Sequence, residues 1–127
     1  MHILVVDDDE DIREILGLVL ESEGHEVETA IDGVDALERL RLGSKPSLVL
    51  LDLMMPRLDG EAVMRALKGE PRLAEIPVVI MSGHQNARQK ATELGVAAWL
   101  AKPIEIEQLQ AAVQSAAANS RERVSPR

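Results

Sequence analysis

A chain of 127 residues with 22 acidic against 14 basic side chains carries a formal charge of −8 and has no cysteine. It is long enough to bury a core without disulfides or a structural metal, and its acidity argues against broad binding to nucleic acid or anionic membranes through the domain surface. With no Phe or Tyr, and Trp99 as the one aromatic, the core must be aliphatic and base stacking finds no support. Met1-His2 leads straight into an apolar run with no charged n-region or cleavage site, and no run reaches the roughly 18 apolar residues of a membrane span. The expectation is a cytoplasmic protein without membrane contact, and the lack of cysteine fits a reducing interior.

In chain order, Ile3 to Val6 is a continuous apolar run, and residues 9–23 then repeat apolars at helical spacing through Ile12, Leu16, Val19 and Leu20. His25 to Ala30 alternates as an edge strand does, and 33–42 is helical through Ala36, Leu37 and Leu40. Leu48 to Leu53 is apolar but for Asp52, and 60–68 is helical through Val63, Met64 and Leu67. Ile76 to Met81 is the next run, 84–94 the next helix (Ala87, Ala91, Leu94), Val96 to Ala101 the last run and 104–118 the last helix (Leu109, Ala112, Val113, Ala116). The continuous runs suit strands covered on both faces, as in a parallel sheet. Gly24, Gly43 and Gly95 stand where helices should stop, and Asp32-Gly33 and Asp59-Gly60 mark turns into helices. β followed by α, five times with short connections, predicts a doubly wound α/β domain over 1–119. The polar stretch 120–127, "SRERVSPR", in which Pro126 ends any helix, reads as a flexible tail or the start of a linker.

In such a sheet, ligands bind beyond the carboxyl ends of the strands. Asp7, Asp8 and Asp9 follow the first strand, Asp52 closes the third, Ser82 the fourth and Lys102 the fifth. Singly, each has an ordinary explanation: an acidic helix start, a turn or N-cap residue, a helix cap, a surface lysine. Together they bring acids, a hydroxyl and an amine to one edge. Carboxylates a few ångströms apart repel by about 4 kcal/mol per close pair at an effective dielectric of 20, so the cluster asks for a cation. Oxygen ligands in modest number suit Mg²⁺, and one carboxylate can then attack phosphorus to give an acyl phosphate.

The stretches "ILVVDDDEDIR", "LVLLDLMMPRLDG", "IPVVIMSG" and "WLAKP", in this order and spacing, resemble the receiver domain of two-component response regulators over essentially the whole chain. The resemblance implies a single (βα)5 flavodoxin-like sandwich with sheet order 2-1-3-4-5. It implies that Asp52 accepts a phosphoryl group from the phosphohistidine of a histidine kinase or phosphotransfer protein. Asp7 and Asp8 would hold Mg²⁺ together with Asp52 and the Met54 backbone carbonyl, and Lys102 would pair with the phosphoryl oxygens ahead of a cis Lys102-Pro103 peptide. Ser82 would be the switch hydroxyl, and Trp99 stands where such domains usually carry the rotameric Tyr or Phe. The protein would be a signalling switch and no enzyme beyond its own phosphoryl transfer and slow autodephosphorylation. Its outputs would be an unknown downstream protein or a phosphorylation-dependent homodimer, without direct nucleic-acid binding by this domain. Two other readings remain: a phosphate-independent interaction module, disfavoured by the five site residues together, and an aspartate-nucleophile phosphatase, disfavoured because Asp52 is on the third strand and position 54 is Met.

Three expectations concern particular residues. Ile15 and Leu18 lie off the buried stripe of the first helix and, with Ile106, are expected to dock the helices that carry the phosphohistidine. Met54 and His84 lie two residues beyond the acceptor and the switch serine, where a bulky apolar Met54 slows hydrolysis and His84 lends it a pH dependence. The helix at 84–94 has few apolar anchors and should be among the looser elements.

Overall fold

The apolar runs line up as one parallel sheet whose strands are β1 (His2–Val6), β2 (Glu26–Ala30), β3 (Leu48–Asp52), β4 (Val78–Ser82) and β5 (Ala98–Ala101). Between and after them lie α1 (Glu10–Ser22), α2 (Gly33–Arg41), α3 (Gly60–Lys68), α4 (Ala87–Leu94) and α5 (Ile106–Val124). A computed structural model describes residues 1–55, 59–83, 87–96 and 98–124. The strand order is β2-β1-β3-β4-β5, as the resemblance implies, so the chain turns outward from β1 in one direction to β2 and in the other to β3. The crevice at that reversal opens beyond the ends of β1 and β3.

Alternation along the strands sorts the core into two layers. Ile3, Val5, Leu48, Leu50, Val79 and Met81 pack against Leu16 and Leu20 of α1 and against Leu109, Val113 and Ala116 of α5. Leu4, Val6, Val49, Leu51 and Ile80 pack on the other face against α2 and α3, through Leu37, Leu40, Val63, Met64 and Leu67. Strands β3 and β4 are buried throughout because both faces are covered and both edges paired.

The helix starts follow from their caps. Asp9 precedes α1 and its Oδ1 accepts from the backbone N–H of Asp11 at 2.9 Å and of Ile12 at 3.3 Å. Asp32 and Asp59 do the same for Asp35 (2.8 Å) and Ala62 (2.9 Å) at the heads of α2 and α3. Gly24 and Gly43 follow α1 and α2 with φ of 92° and 114°, the left-handed region where only glycine is free of strain.

Four local differences from the expected pattern have physical causes. Strand β4 begins at Val78 and not at Ile76, because the Ile76 N–H turns back to the Leu73 carbonyl (3.1 Å) and Pro77 has no N–H to give. Strand β5 is not covered on both faces: it is the sheet's other edge, and Trp99 and Ala101 stay exposed. Helix α5 continues through Val124, past the boundary set at 119; residues 125–127, Pro126 among them, lie outside the described residues. Edge strand β2 is tied down by polar contacts that alternation does not announce. Glu28 accepts from Ser44 Oγ at 2.6 Å and Arg39 Nη1 at 3.3 Å, with His2 Nε2 3.0 Å away. Burial works to raise the Glu28 carboxyl, but these partners outweigh it and hold it below the ordinary carboxylate value.

Gly60, the first residue of α3, sets how closely that helix approaches β3. A Cβ there would lie 2.8 Å from the Asp52 carbonyl oxygen and 2.8 Å from Leu53 Cα, both backbone atoms that cannot rotate away. Gly60→Ala is therefore expected to destabilise by about 1–3 kcal/mol in thermal denaturation, the usual cost of overpacking, despite alanine's better helix propensity. An unchanged melting temperature would show that α3 can slide outward freely.

Candidate functional site

Asp7, the residue after β1, is completely buried, with its N–H bonded to the Ala30 carbonyl at 3.2 Å and its Oδ1 accepting the Asp9 N–H at 2.9 Å. Asp52, the last residue of β3, is also buried, and its Oδ1 accepts the Met54 N–H at 3.2 Å. Lys102 follows β5 and reaches across the sheet edge to both. Its Nζ is 3.0 Å from Asp7 Oδ2 and 3.4 Å from Asp52 Oδ2. The Lys102 N–H bonds the Ser82 carbonyl at 3.0 Å, which fixes the β5 exit against buried Ser82, and the Lys102-Pro103 peptide is cis. Asp8 is exposed beside the buried pair, and carboxylate oxygens of Asp7, Asp8 and Asp52 all lie within 4.8 Å of one another.

These positions set the electrostatics. The Asp52 carboxyl is pushed up to about 6 by burial and by the Asp7 charge, against the pull of Lys102. Lys102 sits above the ordinary lysine value, because the Asp7 and Asp52 carboxylates outweigh the burial that disfavours its charge. One ammonium serves two buried carboxylates, with Asp8 beside them. Among the described residues, Asp7 Oδ2 faces only the Lys102 ammonium, 3.0 Å away, and has no other polar partner. Such a donor set, all oxygen and anionic with one buried atom underused, fits a hard divalent cation that keeps part of its water shell.

The remaining expected residues fall around this centre. Met54 presents its backbone N–H to Asp52 while its side chain is 61% exposed. Trp99 pairs in register with Ile80, two residues before the Ser82–Ala101 pair, and is 42% exposed on edge strand β5. Ile15, Leu18 and Ile106 are each more than half exposed. Ile15 also lines a recess of about 230 Å³ with Ile12, Lys102, Pro103 and Ile104, so apolar surface runs from α1 to the site lysine. On α4, Ala91 is buried, Leu94 is partly buried and Arg88 to Lys90 are not buried. His84 lies outside the described residues. A groove of about 730 Å³ lined by Met1, Glu23, His25 and α5 residues lies at the opposite end of the strands and, among the described residues, brings no comparable cluster of charge together.

One residue at the site escaped the sequence reading. Arg13, on α1, donates from Nη1 to the backbone carbonyl of Asp7 at 2.8 Å. No spacing rule marks it, since a charged residue on the first helix ordinarily faces solvent.

Comparison with known proteins agrees with this arrangement. The family model for the response regulator receiver domain matches residues 3–114. Response regulator MprA of Mycobacterium tuberculosis is 37% identical over 117 residues, covering 91% of this chain and 50% of that protein. The DNA-binding dual master transcriptional regulator RpaA of a Synechocystis strain is 33% identical over 116 residues, covering 90% of this chain and 48% of that protein. The chain thus spans about half the length of the curated relatives it matches. The solved structure of chemotaxis response regulator CheY4 of Vibrio cholerae superposes with a TM-score of 0.83 at 27% identity, covering 91% of this chain and 97% of that one. With the sheet order, the acidic edge and the family match in agreement, this chain belongs to the response regulator receiver domain family.

Proposed function

We propose that this receiver domain works as a phosphorylation switch with Asp52 as acceptor. The observation that carries the reading is the convergence of buried Asp52, buried Asp7 and Lys102, with Asp8 at the mouth. A carboxylate oxygen of Asp52 attacks the phosphorus of a phosphohistidine, the P–N bond breaks, and the imidazole leaves with the electron pair and takes up a proton. The product is an acyl phosphate on Asp52. Lys102 already lies 3.4 Å from Asp52 Oδ2 and offers its ammonium to the new phosphoryl oxygens. Asp7, Asp8, Asp52 and the Met54 carbonyl are the groups that would hold Mg²⁺, whose bound charge would neutralise carboxylate and phosphoryl oxygens together.

Ser82, buried at the end of β4, is the hydroxyl that follows the phosphoryl group, and Trp99 on the neighbouring strand reports the change at the protein surface. A downstream protein or a second copy of the chain reads that surface. The exposed Met54 side chain beside the acceptor hinders an attacking water and slows hydrolysis, and His84 tunes that step with pH. The locale is cytoplasmic, where a histidine kinase or phosphotransfer protein supplies the phosphoryl group.

The first test is intact-protein mass after incubation with Mg²⁺ and acetyl phosphate, while Trp99 fluorescence is recorded. A gain of about 80 Da, one phosphoryl group on the nucleophile, supports the reading. A chain that neither gains mass nor binds Mg²⁺ leaves the phosphate-independent interaction module. Donor docking is tested separately: Ile15→Asp places a charge on the apolar track from α1 to Pro103 and should slow transfer from the protein donor about tenfold or more, as loss of a central interface contact does. Uptake from acetyl phosphate should be unchanged. Equal slowing with both donors would locate the defect in the site and remove the docking role.

A further inference from the structure

We infer that Arg13 is a positioning residue for the cation site, acting through the main chain of Asp7 and not through any carboxylate. The inference rests on the proposed Mg²⁺ site and concerns how that site is held open.

The turn Asp7-Asp8-Asp9 must do two incompatible things. It packs acidic side chains together at the head of α1, where Glu10 and Asp11 add further charge, and it must keep Asp8 pointing at a cation. Two contacts brace it. On one side the Asp7 carboxylate accepts the Asp9 N–H at 2.9 Å, which closes the turn from within. On the other, Arg13 Nη1 donates to the Asp7 carbonyl at 2.8 Å. That carbonyl belongs to the peptide that joins Asp7 to Asp8, so fixing it fixes the plane from which Asp8 departs. Asp9 is in turn held as the cap of α1, and Arg13 donates its own N–H to the Asp9 carbonyl at 3.1 Å. The second of these is the ordinary first bond of the helix, so the guanidinium contact to the Asp7 carbonyl is what the Arg13 side chain itself adds.

The choice of acceptor matters. A guanidinium among five consecutive acidic residues would ordinarily pair with a carboxylate, bidentately and strongly. Here the recorded acceptor is a carbonyl, and Lys102 is the cation on the Asp7 and Asp52 carboxylates. The carboxylates therefore keep lone pairs for a metal, while the positive charge of Arg13 offsets part of their repulsion from outside the ligand set. Groups that orient metal ligands in this indirect way typically contribute 10- to 100-fold in metal affinity.

Two physical roles for Arg13 give opposite signs. If its charge dominates, a guanidinium near the site repels Mg²⁺, and neutralising it should tighten binding. If its hydrogen bond dominates, as inferred here, neutralising it should weaken binding. Calorimetric titration with Mg²⁺ of the unphosphorylated chain reads the sign without depending on phosphorylation. Arg13→Met, which keeps the aliphatic stem, is expected to bind Mg²⁺ about tenfold more weakly. Arg13→Lys, which keeps the charge but lacks the planar donor fork, should also bind more weakly and not recover wild-type affinity. At saturating Mg²⁺ both variants should take up phosphoryl from acetyl phosphate at close to the wild-type rate, so the defect appears as a shift in the Mg²⁺ requirement. Wild-type or tighter affinity in Arg13→Met overturns the inference, as does full rescue by Arg13→Lys. If Arg13→Met fails to fold by circular dichroism, Arg13→Lys decides the matter alone by the same criterion. A wild-type chain that binds no Mg²⁺ removes the cation site itself and the inference with it, whereas normal wild-type binding with unchanged variants removes the role of Arg13 alone.

Discussion

Asp52→Ala is expected to reduce the gain of about 80 Da from acetyl phosphate and Mg²⁺ to background, with no compensating adduct elsewhere. The expectation follows from how differently the three carboxylates are placed. Asp7 is fully buried, with one oxygen on the Asp9 N–H and the other facing the Lys102 ammonium. Asp8 is exposed at the mouth, and no contact to Lys102 is recorded for it among the described residues. Asp52 shares with Asp7 its burial, a backbone N–H on one oxygen and the ammonium near the other, but it is the last residue of β3 and its ammonium contact is the longer, 3.4 Å against 3.0 Å, which leaves that oxygen the freer to attack. Removing it leaves Asp7 and Asp8, the other proposed cation ligands, in place, so Mg²⁺ should still bind, more weakly. Peptide mapping of any residual adduct is decisive: an acyl phosphate on Asp7 or Asp8 in Asp52→Ala would transfer the acceptor role away from Asp52.

The second large effect is on stability, and its sign is opposite to that of most substitutions in a buried site. In the metal-free chain the Asp52 carboxyl is raised from 3.8 to about 6. A carboxyl whose pKa is higher folded than unfolded binds more protons in the folded state between those values. Its contribution to stability therefore falls as pH rises from about 4 to about 6, and the full cost is present above that window. A shift of this size corresponds to a cost of up to about 3 kcal/mol at neutral pH. Asp52→Asn keeps the shape and removes the charge, so the metal-free variant is expected to melt several degrees above wild type at pH 7.5 and to lose that advantage near pH 4. Mg²⁺ should narrow the gap by stabilising wild type more than the variant. The difference between the two proteins isolates Asp52 from Glu28, whose lowered carboxyl gives the opposite slope, stabilising above its ordinary value and losing that contribution as pH falls. Melting curves of both proteins across pH, with and without Mg²⁺, test this directly; a metal-free Asp52→Asn that melts below wild type at neutral pH would show that the Lys102 contact outweighs burial and the Asp7 charge.

What is legible in the sequence depends on the kind of information each feature uses. The helices were legible because a 3.6-residue period and a cap are local: Leu16 and Leu20 on α1 and Leu109, Val113 and Ala116 on α5 are buried as their spacing predicts, and Asp9, Asp32 and Asp59 cap the helices they precede. Strand ends were less so. Ile76 continues the apolar pattern of β4 yet sits in a turn, because Pro77 interrupts the ladder. The coverage of β5 could not be read from its composition, since Leu and Ala look alike in a central strand and at an edge, and only the strand order exposes Trp99.

The site divides along the same line. The sequence by itself determined which chemical groups stand at the carboxyl ends of the strands, because alternation of β and α forces those ends to one edge, and so Asp7, Asp8, Asp52, Ser82 and Lys102 were found as a set. It also determined that Ile15 and Leu18 lie off the buried stripe of α1, a matter of angle alone. Only the tertiary structure decided that one lysine serves two buried carboxylates at 3.0 and 3.4 Å, that Asp52 is raised while an oxygen of Asp7 is left underused, and that Arg13 reaches back to the Asp7 carbonyl. Those facts depend on distances between atoms far apart in the chain and on how much water is excluded between them. Coulomb energy and desolvation vary steeply with both, while residue order fixes neither.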